Sequence, residues 1–181
     1  MRNTLKFLLS LTVAMAIMLG FRSLVFTIYT VEGEGLAPVF LKGDRVMVNR
    51  WSYGLRTGSD EGLFNYGRLC RQLPKKGDFI AYEDPRDSTG QSVLFGRCQA
   101  LPGDTVYHEG RILMMPSLKD CADADYYWVH AVGMANPIDS RQLGFINERR
   151  IIGRAFLVIF NHDDNRPFWG GWRRERLLLL K

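Results

Sequence analysis

Several kinds of site are excluded by what this chain has little of. It carries three cysteines, Cys70, Cys98 and Cys121, and no two of them form a CxxC. Three are too few for a disulfide scaffold; one bridge with a free thiol and three buried thiols both remain open. The three histidines, His108, His130 and His162, are scattered without ligand spacing, so no metal and no cofactor are expected. No long basic run or zinc-finger spacing accompanies the net charge of +5. That charge therefore suits anionic lipid headgroups rather than nucleic acid. No uninterrupted apolar run reaches the roughly 20 residues of a comfortable membrane span.

What is present divides at about residue 24. Arg2 and Lys6 precede Phe7 to Phe21, fifteen residues in which only Ser10 and Thr12 are polar and none is charged. With Thr4 and Leu5 added, and Lys6 and Arg22 snorkelling, the segment approaches a span. Ala14-Met15-Ala16 offers a cleavage site for a removed secretory peptide, but apolar residues continue past it, which favours an uncleaved anchor. The basic end stays cytoplasmic and the rest is extracytoplasmic. The expected topology is single-pass.

The body reads as strands. LVFTIYTVEG, GDRVMVNRW, GDFIAYEDP, SVLFGRCQA, DTVYHEGRILMM, DYYWVHAVGM and GRAFLVIFN are short, β-branched or aromatic, and bounded by Gly, Pro or Asp. Gly43-Asp44, Gly77-Asp78 and Gly103-Asp104 each open a strand, as turns supplying positive φ rather than as an internal repeat. No amphipathic helix of more than a few turns is evident in the body, although WRRERLLLLK at the end suits a short one. The class is all-β with one N-terminal transmembrane helix. The expected boundaries are 1–24 for the anchor, 25–108 and 128–166 for the β core, 109–127 for a small inserted hairpin, and 167–181 for an aromatic and basic tail. Residues 57–74 read as an irregular loop. In the tail, Phe168, Trp169 and Trp172 stand beside Arg173, Arg174 and Arg176, which suits either a membrane interface or a core-packing terminus.

Four stretches, in order, resemble type I signal peptidases, the membrane-bound serine/lysine endopeptidases that remove signal peptides. Gly35-Leu36-Ala37-Pro38, followed by Gly43-Asp44-Arg45-Val46, resembles the family's Ser-Met-x-Pro and its Gly-Asp strand. Lys76-Gly77-Asp78-Phe79-Ile80 is similar to a second Gly-Asp strand. Gly96-Arg97-Cys98-Gln99-Ala100-Leu101-Pro102-Gly103-Asp104 resembles Lys-Arg-x-x-Gly-x-Pro-Gly-Asp, and Asp139-Ser140-Arg141-Gln142-Leu143-Gly144 resembles Asp-Ser-Arg-x-x-Gly. The resemblance implies a fold of coiled antiparallel sheets and a bacterial inner-membrane location.

It also implies a chemistry this chain lacks. In the family a serine hydroxyl attacks the scissile carbonyl and a neutral, desolvated lysine takes its proton. The matching positions here are Gly35 and Gly96, so no catalytic residue is assigned. Ser88, Ser92, Lys75 and Lys76 read as solvated loop, and Glu32 and Glu34 are placed by alternation on the face opposite Gly33 and Gly35. What the resemblance leaves is a peptide groove lined by Val31, Gly33, Gly35, Phe79, Ile80, Ala81 and Tyr82, with Pro38, Asp139, Ser140 and Arg141 as structural residues. Asp139 and Arg141 are expected to form a buried pair, and exchange of both dyad side chains for glycine to enlarge the cleft floor. The expected partners are membrane lipid and an extended segment of an exported or precursor protein, with an active signal peptidase or an assembly complex as a further candidate. An active peptidase with a non-standard arrangement is the alternative.

Overall fold

The computed structural model describes residues 2–32, 36–57, 66–87, 91–120, 122–133, 138–162, 172–173 and 177–180. Helix α1 (Arg2–Val25) runs directly into β1 (Phe26–Thr30). There follow β2 (Asp44–Asn49), β3 (Leu55–Thr57), β4 (Gly67–Leu69), β5 (Phe79–Glu83), β6 (Val93–Ala100), β7 (Thr105–His108), β8 (Arg111–Met114) and β9 (Tyr126–His130). A four-residue helix, α2 (Ser140–Leu143), precedes β10 (Ile146–Asn147), the twelve-residue β11 (Ile151–His162), β12 (Trp172–Arg173) and β13 (Leu178–Leu179). Apart from α1 the molecule is mostly antiparallel sheet. Among the described residues, no helix is long and apolar enough to cross a membrane.

The main sheet has the order β1-β2-β11-β5-β6-β9-β10, with β12 and β13 also pairing with β11. Both faces are covered. Phe79 and Ala81 of β5 point toward a core around Phe40, Val46, Val48 and Phe95, while Ile80 and Tyr82 point toward a second core around Tyr53, Cys98, Tyr127 and Val129. That two-sided burial is why FIAYE reads as an almost unbroken apolar run instead of alternating. A third cluster, around Trp128 and Met115, packs under the β7–β8 hairpin.

The three Gly-Asp pairs build the same turn three times. Gly43, Gly77 and Gly103 have φ of 85°, 92° and 86°, as the third place of a type II turn requires. Each aspartate closes its turn with backbone N–H to carbonyl, Asp44 to Leu41, Asp78 to Lys75 and Asp104 to Leu101. Each carboxylate then accepts the N–H three residues back, from Leu41 at 2.8 Å, Lys75 at 3.0 Å and Leu101 at 2.7 Å. A partner strand completes each unit: Val31, Cys98 and Met115 donate to the aspartate carbonyl and accept from the glycine N–H.

Several expected boundaries shift. The inserted hairpin is Thr105–Met114, turning at Glu109-Gly110, so it starts earlier than residue 109. Within the supposed loop at 57–74, β3 and β4 pair from Leu55–Leu69 to Thr57–Gly67. Buried Arg68 holds this pair to the body by donating to the carbonyls of Gly54, Glu148 and Ile151. The described parts of the tail are strands rather than a helix, because β11 offers a free edge there: Leu178 and Leu179 pair with Val158 and Leu157, and Leu180 is buried in the first core. Phe168, Trp169, Arg174 and Arg176 lie outside the described residues.

Candidate functional site

The sheet curls so that β1 faces the first half of β6 across a cavity of about 870 Å³. One wall is Ile28 to Glu32 with Leu36; the other is Gln91 to Phe95, with Asp84, Arg86 and Ile138 at the rim. Both walls carry free backbone edges. Among the described residues β1 pairs only with β2, and β6 pairs with β9 only from Arg97 onward, which leaves Val93 to Phe95 open on that side. Every step from β1 through β2, β11 and β5 to β6 is antiparallel, so β1 and β6 run in the same direction. A strand between them would have the same sense relative to both walls. Under the groove the Tyr29 and Phe95 rings meet edge to face with centroids 6.4 Å apart. At the rim the Arg86 guanidinium grips Asp84 through two N–H bonds, at 3.0 and 2.7 Å, and these bonds hold the Asp84 carboxyl below its usual range.

This arrangement corrects half of the expected groove. Val31 lines the cavity, and Gly33 and Gly35 lie outside the described residues. Phe79, Ile80, Ala81 and Tyr82 line none of it. They form β5, which is paired along one edge with β11 and along the other with β6, so it has no free backbone edge for a peptide. Ile80, Ala81 and Tyr82 are fully buried. The second wall belongs to the next strand, at Val93, Leu94 and Phe95. Ile80 is paired with Gly96 and Tyr82 with Leu94, so the expected wall residues stand one strand deeper in the sheet than the strand that lines this cavity.

Gly96 also departs from expectation. Exchanging a large residue for glycine should open the floor of the cleft, yet the space beside Gly96 is full. A β-carbon at position 96 would lie 2.5 Å from Val129 Cγ1 and 2.8 Å from the His130 carbonyl oxygen. Beside it, Ser140 is buried and its Oγ accepts the Val129 N–H at 2.9 Å. Asp139 is fully buried, caps α2 by accepting the Arg141 N–H at 2.9 Å, and accepts the Ala131 N–H at 3.1 Å. The Arg141 guanidinium binds the same carboxylate at 2.8 to 3.1 Å but is itself about half exposed. The expected pair therefore forms, with only its acid buried. Burial alone would raise the Asp139 carboxyl; the hydrogen bonds from Arg141 and Ala131 outweigh it and hold that group below its usual range.

Of the side chains that could replace a dyad, Lys76 is engaged elsewhere. Lys76 Nζ lies 3.0 Å from Asp104 Oδ2. The Ser92 N–H binds Asp87, and Glu32 is exposed at the mouth of the groove. Ser88 and Glu34 lie outside the described residues. Burial pushes the Cys98 thiol up to about 12, with the Asp78 carboxylate adding to the effect, so it is an inert packing group at neutral pH. Cys70 is exposed and free, and Cys121 lies outside the described residues. His130 is held below its usual range by burial, and its Nε2 accepts the Trp128 indole N–H at 2.8 Å. Among the described residues, the hydroxyls of two fully buried tyrosines in the second core, Tyr82 and Tyr127, have no hydrogen-bond partner, and burial pushes both pKa values up.

Comparison with known proteins adds the family. The model described as "Signal peptidase, peptidase S26" matches residues 4–116. A protein named "Inactive signal peptidase IA" from Staphylococcus aureus (strain COL) is 26% identical over 169 residues, covering 87% of this chain and 92% of that one. Its counterpart from strain MRSA252 matches at the same identity and coverage. "Signal peptidase I" from Buchnera aphidicola subsp. Schizaphis graminum is 26% identical over 88 residues, 49% of this chain and 26% of that one. A match over more than half of the chain, together with the two glycines at the dyad positions, gives one conclusion: the chain belongs to the signal peptidase S26 family, as a member without the catalytic serine and lysine.

Proposed function

We propose that this protein is a non-catalytic signal peptidase homologue whose groove binds an extended segment of an exported or precursor protein. The carrying observation is the contrast within one site: two free strand edges face each other across a cavity, while the position for the general base is a crowded glycine. A bound segment would pair by its main chain with Ile28–Glu32 on one side and Val93–Phe95 on the other, a mode that needs no catalytic side chain. The apolar lining from Leu36, Val93 and Phe95 favours apolar side chains at alternate positions. Such binding suits an assembly factor for an exported protein, or a companion of an active peptidase.

The test uses the purified full chain, a precursor with an Ala-x-Ala site, and a fluorescent peptide spanning that site. The expected result is saturable peptide binding without cleavage. Val93→Glu, which places a charge against the apolar wall, should weaken binding at least about tenfold, equivalent to about 1.4 kcal/mol. Precursor cleavage that one point substitution abolishes would instead make the chain an active peptidase with a non-standard site. No peptide binding at all would leave it a structural component.

We also propose that α1 is a membrane anchor with its N-terminus in the cytoplasm and the body outside. The residues from Thr4 to Gly20 are all exposed, and Lys6 is their only charge. The uncharged run from Phe7 to Phe21 extends about 22 Å at 1.5 Å per residue, short of roughly 30 Å of hydrocarbon, so the anchor needs its flanking turns at headgroup depth or a locally thinned bilayer. Leu8, Leu11, Met15 and Leu19 are each half or more exposed, as are neighbours around the helix such as Leu9, Ile17 and Met18. An apolar surface exposed all round from Leu8 to Leu19 calls for lipid. After alkaline carbonate extraction the full chain should remain with the membrane pellet, and release into the supernatant would refute the anchor.

A further inference from the structure

We propose that β9 plugs the place of the missing base, and that Asp139 and Ser140 hold the plug in position. The inference rests on the non-catalytic reading above and takes it further: the inactivity is built into the packing, and restoring the two absent side chains would not undo it.

Three observations carry this. Gly96 sits where β6 first meets β9, with Arg97 paired to His130 and Cys98 to Val129. A β-carbon at 96 would meet both a branched side chain, Val129 Cγ1 at 2.5 Å, and a backbone oxygen, His130 O at 2.8 Å. Rotating valine could relieve the first contact; the second is relieved only by moving the strand. The strand is pinned on both sides of that oxygen. The Val129 N–H is bound by Ser140 Oγ, and the Ala131 N–H by Asp139 Oδ2. Both acceptors are buried and belong to the start of α2. Finally, the groove's β6 wall ends at Phe95, and neither Gly96 nor Ser140 lines the cavity. Among the described residues the cavity thus stops short of position 96, and a segment bound along Val93 to Phe95 need send no side chain toward it.

The Asp-Ser-Arg stretch thereby acquires a role that needs no lysine. Asp139 and Ser140 are positioning residues for β9, acting through Val129 and Ala131. In this chain Gly96 is required by space rather than by conformation, because its φ is not among the positive ones.

Thermal unfolding of the full chain in detergent tests the plug apart from any activity. Gly→Ala in an uncrowded strand is neutral or raises Tm, through the entropy of the unfolded chain. Here Gly96→Ala should lower Tm by about 4 °C or more, on the usual scaling for a chain of this size. Val129→Ala should cost less in the Gly96→Ala background than alone, because it removes one of the two obstructing groups. Ser140→Ala, which loosens the strand, should do the same. Additive effects, or an unchanged Tm for Gly96→Ala, would overturn the plug. The chain carrying Gly35→Ser and Gly96→Lys should show the same Tm loss and cleave no precursor; cleavage by that variant would also overturn it. Cleavage by the unaltered chain sinks the non-catalytic reading, whereas the Tm cycle and the variant with both side chains restored decide the plug.

Discussion

Glycine serves two opposite purposes in the Gly-Asp turns and at the cleft floor. At Gly103 a β-carbon would meet nothing within 4 Å, and at Gly77 only the Arg97 guanidinium, at 3.5 Å. Those positions need glycine because φ is near 90°. At Gly96 the backbone makes no such demand, and the space is what is lacking. The turns are matters of local conformation and survive whatever happens to the chemistry. The floor is a matter of neighbours, and once the large side chain is gone an adjoining strand can occupy its volume. On the proposal above, the scaffold is kept whole while the place of the base is filled in.

The turns themselves are unequal, and removing their carboxylates should show it. Asp78 accepts from the buried Tyr53 hydroxyl at 3.0 Å as well as from Lys75 N–H, and faces Arg154 Nε at 3.3 Å. Asp78→Ala strands a buried hydroxyl and a cation, and should cost about 3 kcal/mol in denaturant unfolding. Asp44 is fully buried and accepts the Asn161 side-chain amide at 2.7 Å, so Asp44→Ala should fall close behind at about 2 kcal/mol. Asp104 is the partly exposed member of the set, and its ion pair with Lys76 lies at the surface. Asp104→Ala should therefore cost only about 1 kcal/mol. Equal losses at the three sites would mean that the turn alone matters and that the buried partners of Asp44 and Asp78 add nothing.

Much of this was legible in the residues. Gly-Asp before a valine-rich or aromatic run announced a turn with positive φ, and all three turns have it. The apolar N-terminal stretch announced a helix, and collinear motifs announced the family. The rest depended on neighbours. The FIAYE run is equally compatible with an inner strand and with a groove wall, because two-sided burial leaves no alternation to read; only the pairing to β11 and β6 decides. The tail offered four leucines and arginines of good helix propensity, but β11 had an unpaired edge beside it. For residues 57–74 the deciding fact was the burial of the Arg68 side chain, which the sequence does not announce. Crowding at Gly96 left no mark at all, since a glycine reads the same in open space and against a carbonyl. Val129 is a strand residue like any other until its distance to position 96 is known.

The smallest test bears most directly on the two uses of glycine. Gly103→Ala adds a methyl group where nothing obstructs it, so its whole cost is the backbone: an alanine held at a φ of 86° loses about 1 kcal/mol. That loss should respond to conformation and ignore packing. A D-alanine at 103, introduced by ligation, suits positive φ and should recover the stability, whereas truncating any neighbour should not. At Gly96 the dependence runs the other way, since trimming Val129 should relieve the added methyl group. If Gly103→Ala instead responded to trimming the residues around it, the turn glycine would be a packing residue too, and the two uses would merge into one.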